Sequence, residues 1–281
     1  MSHYNNASEL DKLTLGKTTQ YISQYQPSLL QSVPRSLNRT ELNLTADNLP
    51  FKGEDIWYGY ELSWLNNKGK PVVAVAEFSF PCTSPNIVES KSFKLYLNSF
   101  NQSKFADINA VQTALCQDLS KTCGAKAKVT LFNVEDCPPL NITQIASICI
   151  DELDIEVEEY SLQPQLLSLE KSKVSTDELL VSHLLKSNCL ITNQPDWGSL
   201  YIHYHGQAID HASLLRYIVS FRNHNEFHEQ CVERIFCDIM KMCRPEELTV
   251  YARYTRRGGL DINPWRSNIK KVMENTRLAR Q

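Results

Sequence analysis

Sliding the chain against itself by 121 positions brings Ser92 onto Ser213, Tyr96 onto Tyr217, Ser99-Phe100 onto Ser220-Phe221, Val111 onto Val232, Cys116 onto Cys237 and Val129 onto Val250. A self-match at one fixed offset means that the same supersecondary unit is built twice, so every element must have a counterpart. In the first copy, Ile56-Trp-Tyr-Gly-Tyr-Glu-Leu62 and Pro71-Val-Val-Ala-Val-Ala-Glu-Phe78 are rich in aromatic and β-branched residues and predict strands. Helices follow near 91–101 and 107–123. The second places Ile108, Val111, Leu115 and Leu119 on one face, opens at Asp107 and closes at Gly124. Lys128-Val-Thr-Leu-Phe-Asn133 predicts a further strand. Asp151-Glu-Leu-Asp-Ile-Glu-Val-Glu-Glu159 alternates acids with apolar residues and predicts a last, acidic strand with one wet face.

The second copy repeats the order, with an apolar stretch before Cys189, a strand over 199–205, helices at 210–222 and 227–243, and a strand over 248–255. Strand, strand, helix, helix, strand, strand in each copy implies an α+β fold: two tandem modules, each an antiparallel sheet with two helices on one face. Apolar residues at both parities of the strands require the opposite sheet face to be covered too, which predicts association through the sheets, as a homodimer. The boundaries read as an N-terminal extension over 1–50, a first module over 51–160, a linker over 161–180 and a second module over 181–281.

Charge separates the same pieces. Residues 1–134 hold 13 Lys/Arg and 11 Asp/Glu, 135–174 hold 2 and 9, and 175–281 hold 14 and 12. With 29 basic and 32 acidic residues in all, the chain lacks the basic excess that grips a nucleic-acid backbone. No apolar run reaches the roughly 18 to 20 residues of a membrane span, and Met1-Ser-His-Tyr-Asn-Asn6 has neither the basic nor the apolar region of an export signal. Nine cysteines without a CxxC pair suit free thiols in a reducing cytoplasm.

Three places offer chemistry. Cys189 ends an apolar stretch and opens a polar segment closed by Pro195 and Gly198, with Asp196 seven residues on: a thiol at a loop and a carboxyl able to deliver a proton. A free cysteine is more often an inert small hydrophobe, and Cys231 and Cys237 read that way; Cys116 has no evident role. Phe227-His228-Glu229 opens a helix. A carboxylate there could accept two N–H groups of a guanine-like edge, or simply complement the helix dipole. Val88-Glu-Ser-Lys-Ser-Phe-Lys-Leu-Tyr96 carries two lysines, and Arg256-Arg-Gly-Gly259 two guanidiniums beside a flexible turn. Either could bind phosphate or be a solvated basic surface. His203 and His205 share a strand face without a convincingly spaced third ligand, so no metal is expected. Neither GxGxxG nor GxxxxGK[ST] occurs. The bare residues leave open a cysteine hydrolase, a non-catalytic purine-binding protein and, less well supported by the charge, a tRNA-binding role.

Glu89-Ser-Lys-Ser-Phe-Lys-Leu-Tyr96 resembles the signature motif of the NADPH-dependent 7-cyano-7-deazaguanine reductases, the nitrile reductases of queuosine biosynthesis. Ser187-Asn-Cys-Leu-Ile-Thr-Asn-Gln-Pro-Asp196 resembles their nucleophile segment, and Phe227-His-Glu229 and Arg256-Arg-Gly-Gly259 match further segments. The signature lies in the first half and the cysteine in the second, as in the long two-module subfamily. The resemblance implies the tunnelling fold shared with GTP cyclohydrolase I. It implies that Cys189 attacks the nitrile carbon and Asp196 protonates nitrogen, giving a thioimide that two NADPH reduce to the aminomethyl product. It assigns Val88, Glu89, Ser90, His228 and Glu229 to the deazaguanine, and Ser90, Lys91, Arg257 and Gly258 to the nucleotide. The partners it implies are a free deazapurine and NADPH, with no nucleic acid and no membrane, in a cytoplasmic homodimer.

Overall fold

Long runs of β-branched and aromatic residues form long strands in the computed structural model, which describes residues 21–137, 142–143, 145–269 and 277–281. The strands are β1 Ser32–Pro34, β2 Lys52–Leu65, β3 Pro71–Pro81, β4 Asn86–Val88, β5 Lys128–Phe132, β6 Ile148–Cys149, β7 Ser175–Asn188, β8 Pro195–Gln207, β9 Glu247–Tyr254 and β10 Leu260–Ser267. The α-helices are α1 Ser36–Arg39, α2 Ser90–Ser99, α3 Ile108–Cys123, α4 His211–Val219 and α5 His228–Met242. Among the described residues no helix is long and apolar enough to cross a membrane.

The chain forms two compact units. The first comprises 1–48, 55–140 and 256–261, and the second 49–54, 141–255 and 262–281. The stretch 161–180, expected as a linker, lies in the second unit and includes the start of β7. Residues 21–48 of the expected N-terminal extension belong to the first unit, and 49–50 to the second. The Tyr25 hydroxyl donates to Asp118, and β1 pairs antiparallel with β4. Residues 1–20 lie outside the described residues.

The first unit orders its sheet β5-β3-β2 and the second β10-β9-β8-β7-β6. The expected antiparallel pattern holds for β7–β8, β8–β9 and β9–β10, and for β3–β5. One expectation fails. Asp151–Glu159 forms no strand; its side chains alternate in exposure only over 154–159, Leu153 being exposed, and its backbone joins no ladder. Only Ile148–Cys149, just before it, is β, and it pairs parallel with Leu180–Val181. The alternation reports one wet and one covered side, which an extended segment lying on a surface also produces.

The repeat has a physical reason. The Ser99 hydroxyl accepts from Gln26 N at 3.2 Å and the Ser220 hydroxyl from Gln163 N at 3.3 Å. Ser92 accepts from Gln31 N at 3.0 Å and Ser213 from Ser168 N at 3.1 Å. The two leading segments so held contain matching 3-10 turns, Pro27–Leu29 and Pro164–Leu166, that a fixed offset of 121 does not align. Helix α2 is capped by Glu89 and α4 by Asp210, each accepting from the third residue on. Helix α3 opens on Asp107 and closes on Gly124 in the left-handed region, the ends that its sequence predicts. Its Val111, Leu115 and Leu119 are fully buried, each worth about 1.5–3 kcal/mol relative to exposure.

Candidate active site

The β7–β8 hairpin carries the candidate thiol and acid, Cys189 and Asp196. Ser187 faces Asp196 and Asn188 faces Pro195 across the ladder, and Cys189 N donates to Gln194 O at 2.8 Å, so the register continues into the turn. Asn193 closes it in the left-handed region, φ 55°, donating its N–H to Cys189 O. Side chains alternate faces along a strand, so Cys189, two residues beyond Ser187, stands on the same face as Asp196. Such diagonal neighbours lie about 7–8 Å apart. A group inserted between them meets a thiol on one side and a carboxyl on the other.

Helix α5 supplies the floor. Its first residue, His228, puts Nε2 3.4 Å from an Asp196 oxygen, and its ring packs edge-on against Tyr254 at 4.1 Å between centroids. Glu229 follows in the first turn and is 2% exposed, as Asp196 is 6% and Cys189 6%. Cys189, Asp196, His228 and Glu229 are thus gathered in the second unit from two segments. Among the described residues the Cys189 sulfur has no hydrogen-bond partner, and no histidine is bonded to it. The neighbouring thiol on α5, Cys231, is fully buried. Burial and then the Glu226 charge push it well above the ordinary thiol range, so it stays protonated and serves packing.

The loop after α4 holds the hairpin in place, although its residues form no recognisable motif. Asn188 N donates to His224 O and Glu226 N donates to Asn188 O, while Asn225 Nδ2 reaches Cys189 O at 3.3 Å. Glu226 is itself anchored: His224 Nε2 is 2.9 Å from one oxygen, and Arg234 grips both. The only local signal was an acid before Phe227 and an arginine two turns later. Burial alone would raise the Glu226 carboxyl. The His224 hydrogen bond and the Arg234 charge outweigh it and hold the group below the ordinary glutamate value of 4.5. A depressed acid contributes stability that is present above its unfolded value and lost as pH falls through its folded one. Glu226→Gln leaves Arg234 without this counter-charge and should cost on the order of 3 kcal/mol near neutrality, a gap that closes on acidification below about pH 4. Urea midpoints of the two proteins between pH 3 and 7 test this; a gap independent of pH would assign the loss to packing.

The remaining candidates gather in the first unit. Val88 ends β4, buried, and Glu89 caps α2, accepting from Lys91 N at 2.8 Å and Ser92 N at 2.7 Å. Burial raises its carboxyl, and these two N–H groups oppose the rise. The corresponding cap, Asp210, performs the same structural task in the second unit, so capping alone accounts for an acid at this place, whatever else the spare lone pairs accept. Ser90 and Lys91 form the first turn of α2. Arg256–Asp261, the tip between β9 and β10, folds onto this unit from the far end of the chain. Gly258 and Gly259, at φ 62° and 78°, make the type I′ turn that requires φ > 0 at both positions. Tyr60 N donates to Gly259 O at 3.0 Å, and the Arg256 guanidinium lies 4.6 Å from the Tyr60 ring centroid. A side chain added at Gly258 would first meet Lys94, at 3.9 Å, whereas one at Gly259 would strike Glu61 at 2.5 Å. Lys94 is one helical turn beyond Lys91. The tip therefore brings Arg257 and Gly258, both exposed, beside the helix that carries Ser90 and Lys91.

His203 and His205 are each beside a carboxylate, Asp177 at 2.9 Å and Glu246 at 3.8 Å, rather than sharing a ligand position.

Residues 21–131 match the family model described as nitrile reductase, 7-cyano-7-deazaguanine-reductase N-term, and residues 195–273 match that described as QueF-like protein. The chain is 63% identical, over 286 aligned positions covering all of both chains, to an NADPH-dependent 7-cyano-7-deazaguanine reductase from Colwellia psychrerythraea (strain 34H / ATCC BAA-681). The chain belongs to the 7-cyano-7-deazaguanine nitrile reductase family. The N-terminal match covers residues 21–48 and 55–131 of the first unit, with 49–54 of the second, and the Arg256–Asp261 tip lies in the second match. The second match begins at Pro195, one residue before Asp196.

Proposed function

We propose that this protein reduces the nitrile of 7-cyano-7-deazaguanine to an aminomethyl group with NADPH, through a covalent adduct on Cys189. Carbon gains two hydrides and nitrogen two protons, so two NADPH and two protons are consumed per product. The observation that carries the reading is the shared face of Cys189 and Asp196 on one hairpin, in a chain of this family. The thiolate adds to the nitrile carbon while Asp196 donates a proton to nitrogen. A neutral thioimide results, a far better hydride acceptor than the nitrile. His228, 3.4 Å from Asp196, orients that carboxyl. In the second unit Glu229, with His228, is the proposed acceptor for N–H groups of the base edge; in the first unit Glu89 and the backbone at Val88 and Ser90 are the proposed substrate contacts.

The donor set of the first unit suits a dinucleotide. Lys91, Arg256 and Arg257 supply the cations, and the open space around Gly258 lets backbone approach a phosphate. NADPH supplies the hydrides when bound; Ser90, Lys91, Arg257 and Gly258 hold it. Arg257→Ala should raise the Michaelis constant for NADPH by about 10- to 100-fold and narrow its advantage over NADH. Adduct formation, which needs no nucleotide, should survive. Loss of the adduct with NADPH binding intact would move Arg257 to the substrate pocket.

The same reading places the protein in the cytoplasm, in keeping with nine free cysteines, and as a homodimer, in keeping with Leu184 and Trp197 exposed on β7 and β8. Light scattering at micromolar concentration decides the second point. For the reaction itself, 7-cyano-7-deazaguanine is supplied and nicotinamide absorbance is followed together with product mass. Two NADPH lost per aminomethyl product is the expected result. Ammonia release without NADPH loss would make the protein a hydrolase.

A further inference from the structure

We propose that Cys149, Asp151 and His183, in the second unit, hold a thiophilic divalent cation, Zn2+ being the occupant that their chemistry fits. One ligand atom from each lies within 4.8 Å of the other two. Zinc bonds of about 2.0–2.3 Å in tetrahedral geometry ask for separations of about 3.5 Å, which rotation of the exposed Cys149 side chain, with a small tilt of the His183 ring about its Ser199 bond, can supply.

The backbone converges on this point. Strand β6 delivers Cys149 beside Val181, and Ile150 N donates to Val181 O at 3.0 Å. The β7–β8 register breaks between Ser182 and Leu185, a bulge that turns His183 out of the ladder. Asp151 clamps the bulge, accepting from Ser182 Oγ at 2.7 Å and from His183 N at 2.9 Å. The His183 ring is fixed from behind, with Nδ1 2.8 Å from the Ser199 hydroxyl, the kind of outer partner that orients a metal-ligating imidazole. Cys149, His183, Ser199 and Tyr201 line a cavity of about 680 Å³, which admits an ion and leaves room for water as a fourth ligand. Arg280 shares that wall, but its Nη2 is engaged by the carbonyls of His183 and Gly198. One thiolate and one carboxylate neutralise the two charges of the ion. A thiolate and an imidazole select zinc over magnesium or calcium, which need more oxygen ligands. The cluster is six residues from Cys189 along β7, roughly 20 Å at strand rise, so it is separate from the reacting thiol.

The test is titration of the full chain with ZnCl2 by calorimetry, in wild type and in Cys189→Ala, which removes the reactive thiol as a competing ligand. Both should bind one Zn2+ per chain. Co2+ in its place should give a thiolate-to-cobalt absorption in the near ultraviolet. Cys149→Ser should abolish that absorption, His183→Gln should weaken Zn2+ by at least about 100-fold, and Ser199→Ala should weaken it by about 10- to 100-fold. Circular dichroism of each variant verifies the fold, and Ser199→Ala, which leaves all three ligands in place, reads the site without touching them. No stoichiometric Zn2+ binding, or an unchanged cobalt absorption in Cys149→Ser, overturns the assignment.

Discussion

Cys189→Ala should form no covalent adduct with 7-cyano-7-deazaguanine and should lose turnover by on the order of 10,000-fold or more, since removing a nucleophile removes the entire covalent route. Intact-protein mass spectrometry with nitrile and no NADPH reads the first half of this directly: one adduct on the wild type and none on the variant. The structure sharpens the expectation beyond counting thiols. Cys231, on α5 beneath the same hairpin, is fully buried and held protonated, and burial likewise pushes Cys243 up to about 11. Cys189 sits at a hairpin turn with a carboxyl on its own face. The variant should fold normally, because the turn is held by the backbone of residues 189, 193 and 194 and by Asn225, none of which needs the sulfur. An adduct that persists in Cys189→Ala would place the chemistry on another thiol.

The second large effect is at Asp196. Asp196→Asn keeps the volume and hydrogen-bonding shape but has no transferable proton, so turnover should fall by at least about 100-fold, the lower end for acid catalysis. Affinity for the deazaguanine before attack should change little, because the contacts proposed for the base are Glu229 and its neighbours. His228 makes the experiment more informative. Its imidazole lies against Asp196 and the Tyr254 ring, so His228→Ala should misplace the acid without removing it. An intermediate loss is expected there. Near-normal turnover in Asp196→Asn would mean that another group supplies the proton.

The two substitutions concern residues seven positions apart, and that closeness is why this half of the site was legible. A strand, a polar turn with Pro195 and Gly198, and a returning strand are local signals, and hairpin register follows from them. The caps of α3, Asp107 and Gly124, were readable for the same reason. So was the duplication, because Ser92, Ser99, Ser213 and Ser220 do the same local task twice.

Asp151–Glu159 shows where such reading ends. Alternation of acid and apolar residues specifies one covered side, but a strand also needs a free neighbouring edge, and none takes this segment up. The buried clamp of Glu226, His224 and Arg234 left only two charged letters near Phe227. Its importance comes from the 1% exposure of Glu226 and from its backbone bond to Asn188, neither of which has a sequence period.

What the sequence by itself determined is whatever depends on a few consecutive residues: the helices and their caps, most of the strands, the repeat, the hairpin that presents Cys189 and Asp196, and the motifs that mark the family. What only the tertiary structure decided is which distant segments share a surface. It set the Arg256–Asp261 tip on the first unit beside α2, although the segment follows β9 of the second. It also gathered Cys149, Asp151 and His183 at one bulge. The physical reason is that propensity, capping and turn chemistry act over one or two turns of chain. The pairing of segments more than a hundred residues apart is fixed by the packing of whole sheets and helices, to which each residue contributes only a small share.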